Sequence, residues 1–305
     1  MHILREIPEL RAWTGRGIHP RVFVPTMGAL HEGHLSLIDR ARAEAGDRGE
    51  VIVSIFVNPT QFAPTEDLST YPRPWEDDWE KCRSRGVDAV FVPSVEVMYR
   101  PDASVHIVED QLSRGLCGAS RPGHFAGVCT VVAKLFNLIQ PDAAVFGQKD
   151  FQQLAIIRRL VRDLDFPVTI LASPTIREPD GLAMSSRNAY LNPEERAGAV
   201  VLSQALGAAR KALDEGERDP HQISQIVGAV LRESPLGKTD YLAVMHPDTL
   251  EPWVGTIHPA EGVLVALAVF LERPGSSTIS TGPAPAPRDG RRGQEKRFLW
   301  CAVTR

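Results

Sequence analysis

Two histidines follow a short apolar segment near the start of the chain. The apolar segment runs from Val22 to Val24, Pro25 comes next, and the histidines are His31 and His34. The β-branched and aromatic residues predict a buried strand, and the proline predicts its end. From Leu35 onward the apolar spacing predicts a helix. This order of strand, turn and helix favours phosphate binding, because free backbone N–H groups and the positive end of the helix dipole face the ligand.

The spacing of the two histidines favours chemistry at a phosphate. Residues three apart on a helix lie on one face, so both rings would reach the same ligand. Imidazoles there could donate hydrogen bonds to phosphoryl oxygens and stabilise the charge that develops as pyrophosphate leaves. Gly33 has no side chain, so a nucleotide could lie close to its backbone. Zinc binding is disfavoured, because His31-Glu32-Gly33-His34 is one residue shorter than the H-E-x-x-H spacing of metalloproteases.

Other polar residues also follow predicted strands, where α/β proteins bind ligands. Gln61 comes after the apolar segment 51–57, and its amide suits a hydroxyl or a carboxylate. Lys149 comes after the apolar segment 143–146 and could meet phosphates as a mobile point charge. The triplet 185–187, two serines and an arginine, could clamp an anion. Taken alone, Gln61 is better interpreted as a turn amide, and the triplet is a weak signal because such triplets are common in loops. A lone lysine is usually solvated, but the position of Lys149 directly after a strand favours a ligand.

Composition limits the class of protein. The chain has 305 residues, is 43% hydrophobic and carries a net charge of −4, so it is long enough for two globular domains and has no electrostatic preference for nucleic acid. No apolar run is long enough to span a bilayer, and the N-terminus lacks the apolar core of a signal peptide. The four scattered cysteines indicate reduced thiols. A cytoplasmic protein with no membrane and no nucleic-acid partner is therefore expected.

Strands and helices alternate along most of the chain, which predicts an α/β fold with a Rossmann-like, doubly wound parallel sheet. The predicted domains are residues 1–185, which would bind the ligands, and a smaller α+β C-terminal domain over 186–271, which would act as a lid. Residues 272–305 are rich in proline, glycine and basic residues, which predicts a flexible tail. A strand is also predicted over 104–108, and the acidic start of a helix at Asp77 and Asp78 is interpreted as a cap.

Several segments together resemble one enzyme family. The segment PTMGALHEGHLSLI (25–38) looks like the ATP-binding signature of pantothenate synthetases (pantoate–β-alanine ligases), whose HxGH element is shared with nucleotidyltransferases. The segments VNPTQF (57–62), RPGHFAGV (121–128), GQKDFQQ (147–153) and DGLAMSSRN (180–188) are similar to further family segments and occur in the family's order. After Leu271 the resemblance ends, and Cys129 stands where the family commonly has a small residue such as alanine.

The resemblance implies an ATP-dependent ligase that joins pantoate to β-alanine through a pantoyl adenylate and releases AMP and pyrophosphate. It implies ATP as a substrate, Mg²⁺ with unassigned ligands, and a homodimer. His34, which the family labels a proton donor, His31 and Lys149 would be catalytic, whereas Gln61 and Gln153 would hold pantoate and β-alanine. The implied ATP-binding residues are Met27, Gly28, Ala29, Leu30, His31, Glu32, Gly33, His34, Gly147, Gln148, Lys149, Asp150, Ile176, Met184, Ser185, Ser186 and Arg187.

Two alternatives stay open at the level of sequence. Another nucleotidyltransferase would share the HxGH element but would not need the glutamine pair Gln61 and Gln153. A nucleotide-binding protein without turnover would result if the unusual tail displaced the lid. The positions of Arg121 and His124 also have two interpretations, because these residues would either line the site or contact the second subunit.

Overall fold

A computed structural model describes residues 1–64, 66, 68–233, 237–271 and 297–304. Within these residues the strands are β1 (His2–Leu4), β2 (Arg21–Thr26), β3 (Glu50–Ile55), β4 (Ala89–Phe91), β5 (Ala143–Gly147), β6 (Thr169–Ser173), β7 (Gly237–Met245), β8 (Leu264–Leu271) and β9 (Arg297–Thr304). The helices are α1 (Ile7–Thr14), α2 (Glu32–Ala45), α3 (Trp75–Ser84), α4 (Val95–Met98), α5 (Leu116–Ser120), α6 (His124–Ile139), α7 (Phe151–Asp163), α8 (Pro193–Asp214) and α9 (Pro220–Arg232). Short 3-10 helices cover Pro59–Gln61, Gln148–Asp150 and Ser186–Tyr190. None of the described helices combines the length and the hydropathy that a bilayer-spanning segment needs.

The main sheet is parallel, with the strand order β1-β4-β3-β2-β5-β6. Its central strands are apolar on both faces, because each face is covered by helices. Phe23 and Ile52 pack with α1, α6 and α7, whereas Val22 and Val51 pack with α2 and α3 on the opposite face. The predicted doubly wound α/β fold is confirmed.

The strand order reverses between β2 and β5. From β2 the chain builds β3 and β4 on one side, and it then returns to place β5 and β6 on the other side. The pairing of β2 with β5 stops at Phe23 and Ala144, although both strands continue. Because such a reversal opens a crevice at the carboxyl ends of the strands, ligands of α/β proteins bind there.

The prediction that Pro25 ends the first strand of this crevice is wrong, because β2 continues to Thr26 and pairs with β3 over its whole length. The carbonyl of Arg21 accepts a hydrogen bond from the N–H of Asp142, beside β5. Backbone groups of alternate residues in a strand point to the same side, so the nitrogen of Pro25 also faces β5. A proline can remain in a strand where no partner needs its missing N–H. Pro25 thus lies where the two strands have already separated.

A second sheet is antiparallel, with the order β7-β8-β9. One face of β8 carries Val265 and Leu267 against α8 and α9, and the other face carries Leu264 and Ala266 against the main core. The predicted smaller α+β unit is confirmed. The predicted domain boundaries at 185/186 and 271/272 stay predictions.

Two segments differ from the sequence predictions. Of the predicted flexible tail 272–305, residues 297–304 form β9, which pairs with β8 from Leu264↔Thr304 to Leu271↔Arg297. The remainder, 272–296 and 305, lies outside the described residues. The predicted strand over 104–108 has no regular secondary structure, and the N–H of Ile107 instead donates to the hydroxyl of Thr130 on α6, at 3.0 Å. Among the described strands none pairs with this segment, so its alternating polarity does not produce a strand.

Candidate active site

Two adjoining cavities lie at the carboxyl ends of the parallel strands. The crevice cavity lies between β2 and β5 and reaches Pro25, Val145 and Gly147. The small-sheet cavity continues from it to β7 and β8, where Tyr241 and Ala266 line it. The residues that line both cavities are Met27, His31, His34, Gln61, Lys149, Asp150 and Gln153.

The histidine pair forms the N-terminus of α2. His31 is the N-cap residue, and its Nδ1 accepts a hydrogen bond from the N–H of Gly33 at 3.1 Å. His34 lies one turn into the helix, and its Nδ1 accepts from the N–H of His31 at 3.4 Å. The two rings face each other with their centroids 4.1 Å apart. The helix therefore begins at Glu32 rather than at Leu35, because the histidines cap it themselves.

This capping fixes the proton on each ring. An Nδ1 atom that accepts a backbone N–H leaves the proton of a neutral imidazole on Nε2. Burial and the nearby Lys149 charge lower the pKa of His31 to about 4. Burial, followed by the effect of His31, lowers the pKa of His34 well below its usual value. Both rings are therefore neutral near pH 7 and present Nε2–H as a hydrogen-bond donor.

Gly33 is required by the first histidine. A Cβ atom at Gly33 would lie 2.8 Å from Cε1 and 2.9 Å from Nδ1 of His31. The absence of a side chain thus lets the His31 ring fold back over the helix N-terminus. Gly33, which the sequence associates with close approach of a nucleotide, therefore also has a structural role within the chain.

Asp78 fixes the loop that precedes the histidines. Its carboxylate, which is fully buried, accepts hydrogen bonds from the N–H groups of Ala29 at 2.9 Å and Leu30 at 2.7 Å. Lys81 donates to the carbonyl of Leu30 at 2.6 Å. Gly28 and Ala29 have φ values of 85° and 49°, so this loop needs external support. Interpreting Asp78 as a helix cap was wrong, because the carboxylate bonds to the N–H groups of another segment.

The Gln61 side chain is oriented by a buried asparagine. Nδ2 of Asn58 donates to Oε1 of Gln61 at 3.0 Å, and Nε2 of Gln61 lies 3.3 Å from the sulfur of Met27. The carbonyl oxygen of the Asn58 side chain accepts from the hydroxyls of Tyr99 and Thr60, both at 2.9 Å. Among the described residues, the only hydrogen-bond partner found for the amide N–H₂ group of Gln61 is this sulfur, which is a weak acceptor.

Lys149 connects the crevice to the loop that carries the Ser-Ser-Arg triplet. It lies in the 3-10 helix after β5, and its ammonium donates to the carbonyl of Met184 at 3.4 Å. The loop closes on itself through an isolated bridge between Arg177 and Ala183. The triplet 185–187 lines the small-sheet cavity. A cation from one loop and hydroxyls from another thus meet at the small-sheet cavity.

An ionic cluster connects the same loop to α8. The guanidinium of Arg196 contacts the carboxylates of Glu178 and Asp180, the latter at 2.6 Å. The amide of Asn188 donates to Glu178 at 2.6 Å and to the carbonyl of Ala183 at 3.0 Å. The loop is therefore supported at both of its ends by side chains that do not line the cavities.

The structure brings most of the predicted site residues together. Fourteen of the residues implied by the resemblance line the cavities. Both cavities are lined by Met27, His31, His34, Gln61, Lys149, Asp150 and Gln153. The crevice cavity is also lined by Gly33, Gly147, Ile176 and Met184, and the small-sheet cavity by Ser185, Ser186 and Arg187. Neither cavity is lined by Gly28, Ala29, Leu30, Glu32 or Gln148. Leu30 is buried, and the carboxylate of Glu32 lies 3.3 Å from Arg85.

Of the two interpretations of Arg121 and His124, lining the site or contacting a second subunit, the structure favours the first. Both residues line the small-sheet cavity and are largely buried within the chain. The roles of Asp78 and Asn58 were not predicted from the sequence. The signal for Asn58 was available, because it closely follows β3, whereas nothing in the sequence relates Asp78 to a loop almost fifty residues earlier.

The fold and the site define a class of protein. A doubly wound parallel sheet opens at its strand-order reversal, and a neutral histidine pair, a lysine and a serine-arginine loop converge there. These groups are hydrogen-bond donors or cations, which is what a nucleotide's phosphates require. The class is that of Rossmann-like nucleotide-binding proteins with the HxGH element.

Comparison with known proteins gives the particular family. The sequence model of pantoate-beta-alanine ligase matches residues 2–276. Pantothenate synthetase from Heliobacterium modesticaldum is 50% identical over 277 residues, which cover 89% of this chain and 95% of the relative. The Thermotoga neapolitana pantothenate synthetase is 55% identical over 230 residues, covering 75% and 81%. This chain belongs to the pantoate–β-alanine ligase family, as the resemblance predicted, and it is an enzyme of the ligase class.

Solved structures agree with this family. The crystal structure of pantothenate synthetase from Thermus thermophilus has a TM-score of 0.85 and 41% sequence identity, and the match covers 99% of both chains. The pantoate-beta-alanine ligase from Francisella tularensis, complexed with βγ-ATP and β-alanine, has a TM-score of 0.71 and 28% identity, covering 99% and 97%.

Proposed function

We propose that this chain condenses pantoate with β-alanine at the expense of ATP. A carboxylate oxygen of pantoate attacks the α-phosphorus, which forms pantoyl adenylate and expels pyrophosphate. The amine of β-alanine then attacks the acyl carbon, which forms the amide, releases AMP and gives up a proton to solvent. The observation that carries the proposal is that Gln61 and Gln153 line the same two cavities as His31, His34 and Lys149.

The crevice cavity suits pantoate in shape and polarity. Val128, Val131 and Val132 of α6 give it an apolar wall, against which two geminal methyl groups can pack. Gln61 and Gln153 lie on the same cavity and can orient the hydroxyls and the carboxylate. Holding the carboxylate beside the nucleotide makes the first step effectively intramolecular.

The two histidines stabilise charge rather than transfer a proton in this proposal. Each ring is neutral and has its donor at Nε2, so each would hydrogen-bond to phosphoryl oxygens as charge develops. Lys149 and the residues 185–187 supply the remaining donors and positive charge. The proposal thus modifies the family's label of His34 as a proton donor.

Magnesium is part of the proposal, and the residues that the structure describes offer few ligands for it. Among the described residues, no cluster of three or more histidine, cysteine, aspartate or glutamate side chains could hold a metal ion. Asp150 lines both cavities, and Mg²⁺ commonly binds through one carboxylate together with substrate phosphates. Asp150 would hold an ion that screens the phosphate charge.

The small α+β unit would act as the lid. Leu202 and Ser203 of α8 and Tyr241 of β7 line the small-sheet cavity, so this unit forms one of its walls. We assign it to residues 186–271, after a ligand-binding domain over 1–185. Closure over bound substrates would exclude water from the adenylate.

A homodimer in the cytoplasm completes the proposal. Val105 and Val108 are 83% and 68% exposed on a segment without secondary structure, and burial of this segment by a second copy would remove apolar surface from water. Light scattering of Val105→Glu should then report monomers.

Cys82, Cys117 and Cys129 are free and buried, as is typical of proteins from reducing compartments.

Exchange of labelled pyrophosphate into ATP tests the function. The proposal expects exchange that requires pantoate and does not require β-alanine, because the adenylate forms before the amine reacts. Exchange that depends on a phosphorylated alcohol instead of pantoate would identify another nucleotidyltransferase. ATP binding without exchange under any condition would identify a nucleotide-binding protein without turnover.

A further inference from the structure

Arg121 and His124 both contact the backbone of Gln61. Nδ1 of His124 lies 2.8 Å from the carbonyl oxygen of Gln61, and Nη2 of Arg121 donates to the same oxygen at 3.2 Å. Nη1 of Arg121 lies 3.2 Å from Nε2 of His124. One carbonyl therefore receives two side-chain donors, and the two donor side chains contact each other.

These contacts require one protonation state of His124. A carbonyl oxygen only accepts, so Nδ1 of His124 carries the proton, and Nε2 must accept from the guanidinium. Burial and the adjacent Arg121 charge lower the pKa of His124 to about 4, so the ring is neutral near pH 7. The hydrogen-bond pattern and the electrostatics thus give the same tautomer.

A buried ion pair fixes the guanidinium. Nε and Nη2 of Arg121 donate to the two carboxylate oxygens of Glu66, each at 2.6 Å, and both side chains are only 10% exposed. A bidentate pair of this kind sets the plane of the guanidinium as well as its position. Glu66 follows Gln61 closely in the chain, so the pair closes a short loop around the Gln61 carbonyl.

Helix α6 approaches the same backbone without an intervening side chain. A Cβ atom at Gly127 would lie 2.4 Å from the carbonyl oxygen of Thr60 and 2.8 Å from the nitrogen of Gln61. The first turn of α6 therefore packs directly on the peptide that carries Gln61. The position of this peptide depends on α6 and on the two side chains described above.

We propose that Glu66, Arg121 and His124 are positioning residues for pantoate, acting through the main chain of Gln61. Asn58 orients the Gln61 amide, and this second network fixes the backbone from which the amide extends. The inference rests on the proposed role of Gln61 in holding pantoate. It assigns no contact with substrate to these three residues.

Steady-state kinetics of His124 variants test the proposal. His124→Ala removes one of the two side-chain donors to the Gln61 carbonyl. We expect the KM for pantoate to rise about tenfold while the KM for ATP changes less than about twofold. His124→Asn places an amide N–H₂ near the position of Nδ1, and we expect it to restore most of the loss. Equal KM changes for the two substrates, or no rescue by asparagine, would overturn the proposal.

Charge removal supplies a matched pair of variants. Glu66→Gln removes the charge from the ion pair with Arg121, and we expect a rise of about tenfold in the KM for pantoate. The matched control is Glu50→Gln, which removes the charge from the buried ion pair of Glu50 with Arg21, 2.7 Å apart. Neither of these two residues lines the cavities. Glu50→Gln should lower the melting temperature without changing the KM for pantoate. A similar KM rise in Glu50→Gln would show that lost stability alone explains the effect.

A Gln61→Ala variant separates this inference from the proposed function. If it leaves the KM for pantoate unchanged, the assignment of Gln61 is wrong and the network proposal falls with it. If it raises this KM while the Glu66 and His124 variants behave like the wild type, only the network proposal is wrong. The expected result is a rise in all three variants, largest for Gln61→Ala.

Discussion

Replacement of Asp78 by asparagine tests whether the Asp78 carboxylate fixes the conformation of the loop before the histidines. The carboxylate accepts the N–H groups of Ala29 and Leu30 through its two oxygens. An asparagine offers one oxygen, so its NH₂ group would face the other backbone N–H. Removing a hydrogen bond to a charged acceptor costs about 2 kcal/mol, and this should lower the melting temperature by roughly 4 °C.

The catalytic effect of Asp78→Asn should exceed the effect on stability. Gly28 and Ala29 have left-handed backbone conformations, which the loop would leave once the carboxylate no longer fixes it. His31 follows directly, and a misplacement of about 1 Å is able to cost on the order of 100-fold in rate. We expect kcat for AMP formation to fall by about that factor at saturating substrates.

An exposed acidic residue on the same helix gives the control for this prediction. The side chain of Glu80 is 71% exposed and pairs with Arg83 on the surface of α3. Glu80→Gln should change the free energy of unfolding by less than about 0.5 kcal/mol and leave kcat unchanged. Thermal unfolding and AMP formation are measured for both variants. Equal behaviour of the two variants would refute the reasoning, and lost stability with normal kcat in Asp78→Asn would show that the loop does not control the histidines.

Three further predictions concern the site. His34→Ala should lower kcat by about 10²- to 10³-fold. His34→Gln should recover part of this loss, because the Nε2 of glutamine reaches toward the position of the ring Nε2, and equal rates for the two variants would contradict the donor role of His34. Arg196→Met should raise the KM for ATP roughly three- to tenfold by releasing the loop that Arg196 contacts, whereas Arg162→Met, which breaks an ion pair on α7, should not. Because the unfolded His124 takes up a proton near pH 6.5 and the folded one near pH 4, the free energy of unfolding should fall as the pH drops through this window. In urea unfolding, the free energy of unfolding of His124→Asn should fall by about 1.6 kcal/mol less between pH 6.5 and 5 than that of the wild type. An equal fall in the two proteins would contradict the buried neutral ring.

The parts of the fold that depend on local pattern were predictable from the sequence. Val22 to Val24 indicated a buried strand, and the Gly and His spacing after it indicated a ligand site at a helix N-terminus. The continuation of β2 through Pro25 was not predictable, because it depends on which neighbouring strand needs the missing N–H. The strand predicted over 104–108 failed for the same kind of reason, since pairing is a property of two segments.

The candidate site was predictable where its residues occur in recognisable segments, and not where they act through distant backbone. The resemblance supplied His31, His34, Lys149 and the glutamines as expectations. Asp78 bonds to N–H groups 48 and 49 residues earlier, a relation that only the tertiary structure defines. The neutral state of the histidines likewise follows from burial and capping, which composition and spacing do not contain.

AMP formation by the purified 305-residue chain is the decisive test of the proposed ligase activity. ATP and Mg²⁺ are supplied with pantoate, with β-alanine, with both or with neither, and AMP is quantified against pantothenate. The account predicts sustained AMP formation only when both substrates are present, with one AMP for each pantothenate. AMP formation that is independent of β-alanine, or no AMP from a chain that binds ATP, would contradict it.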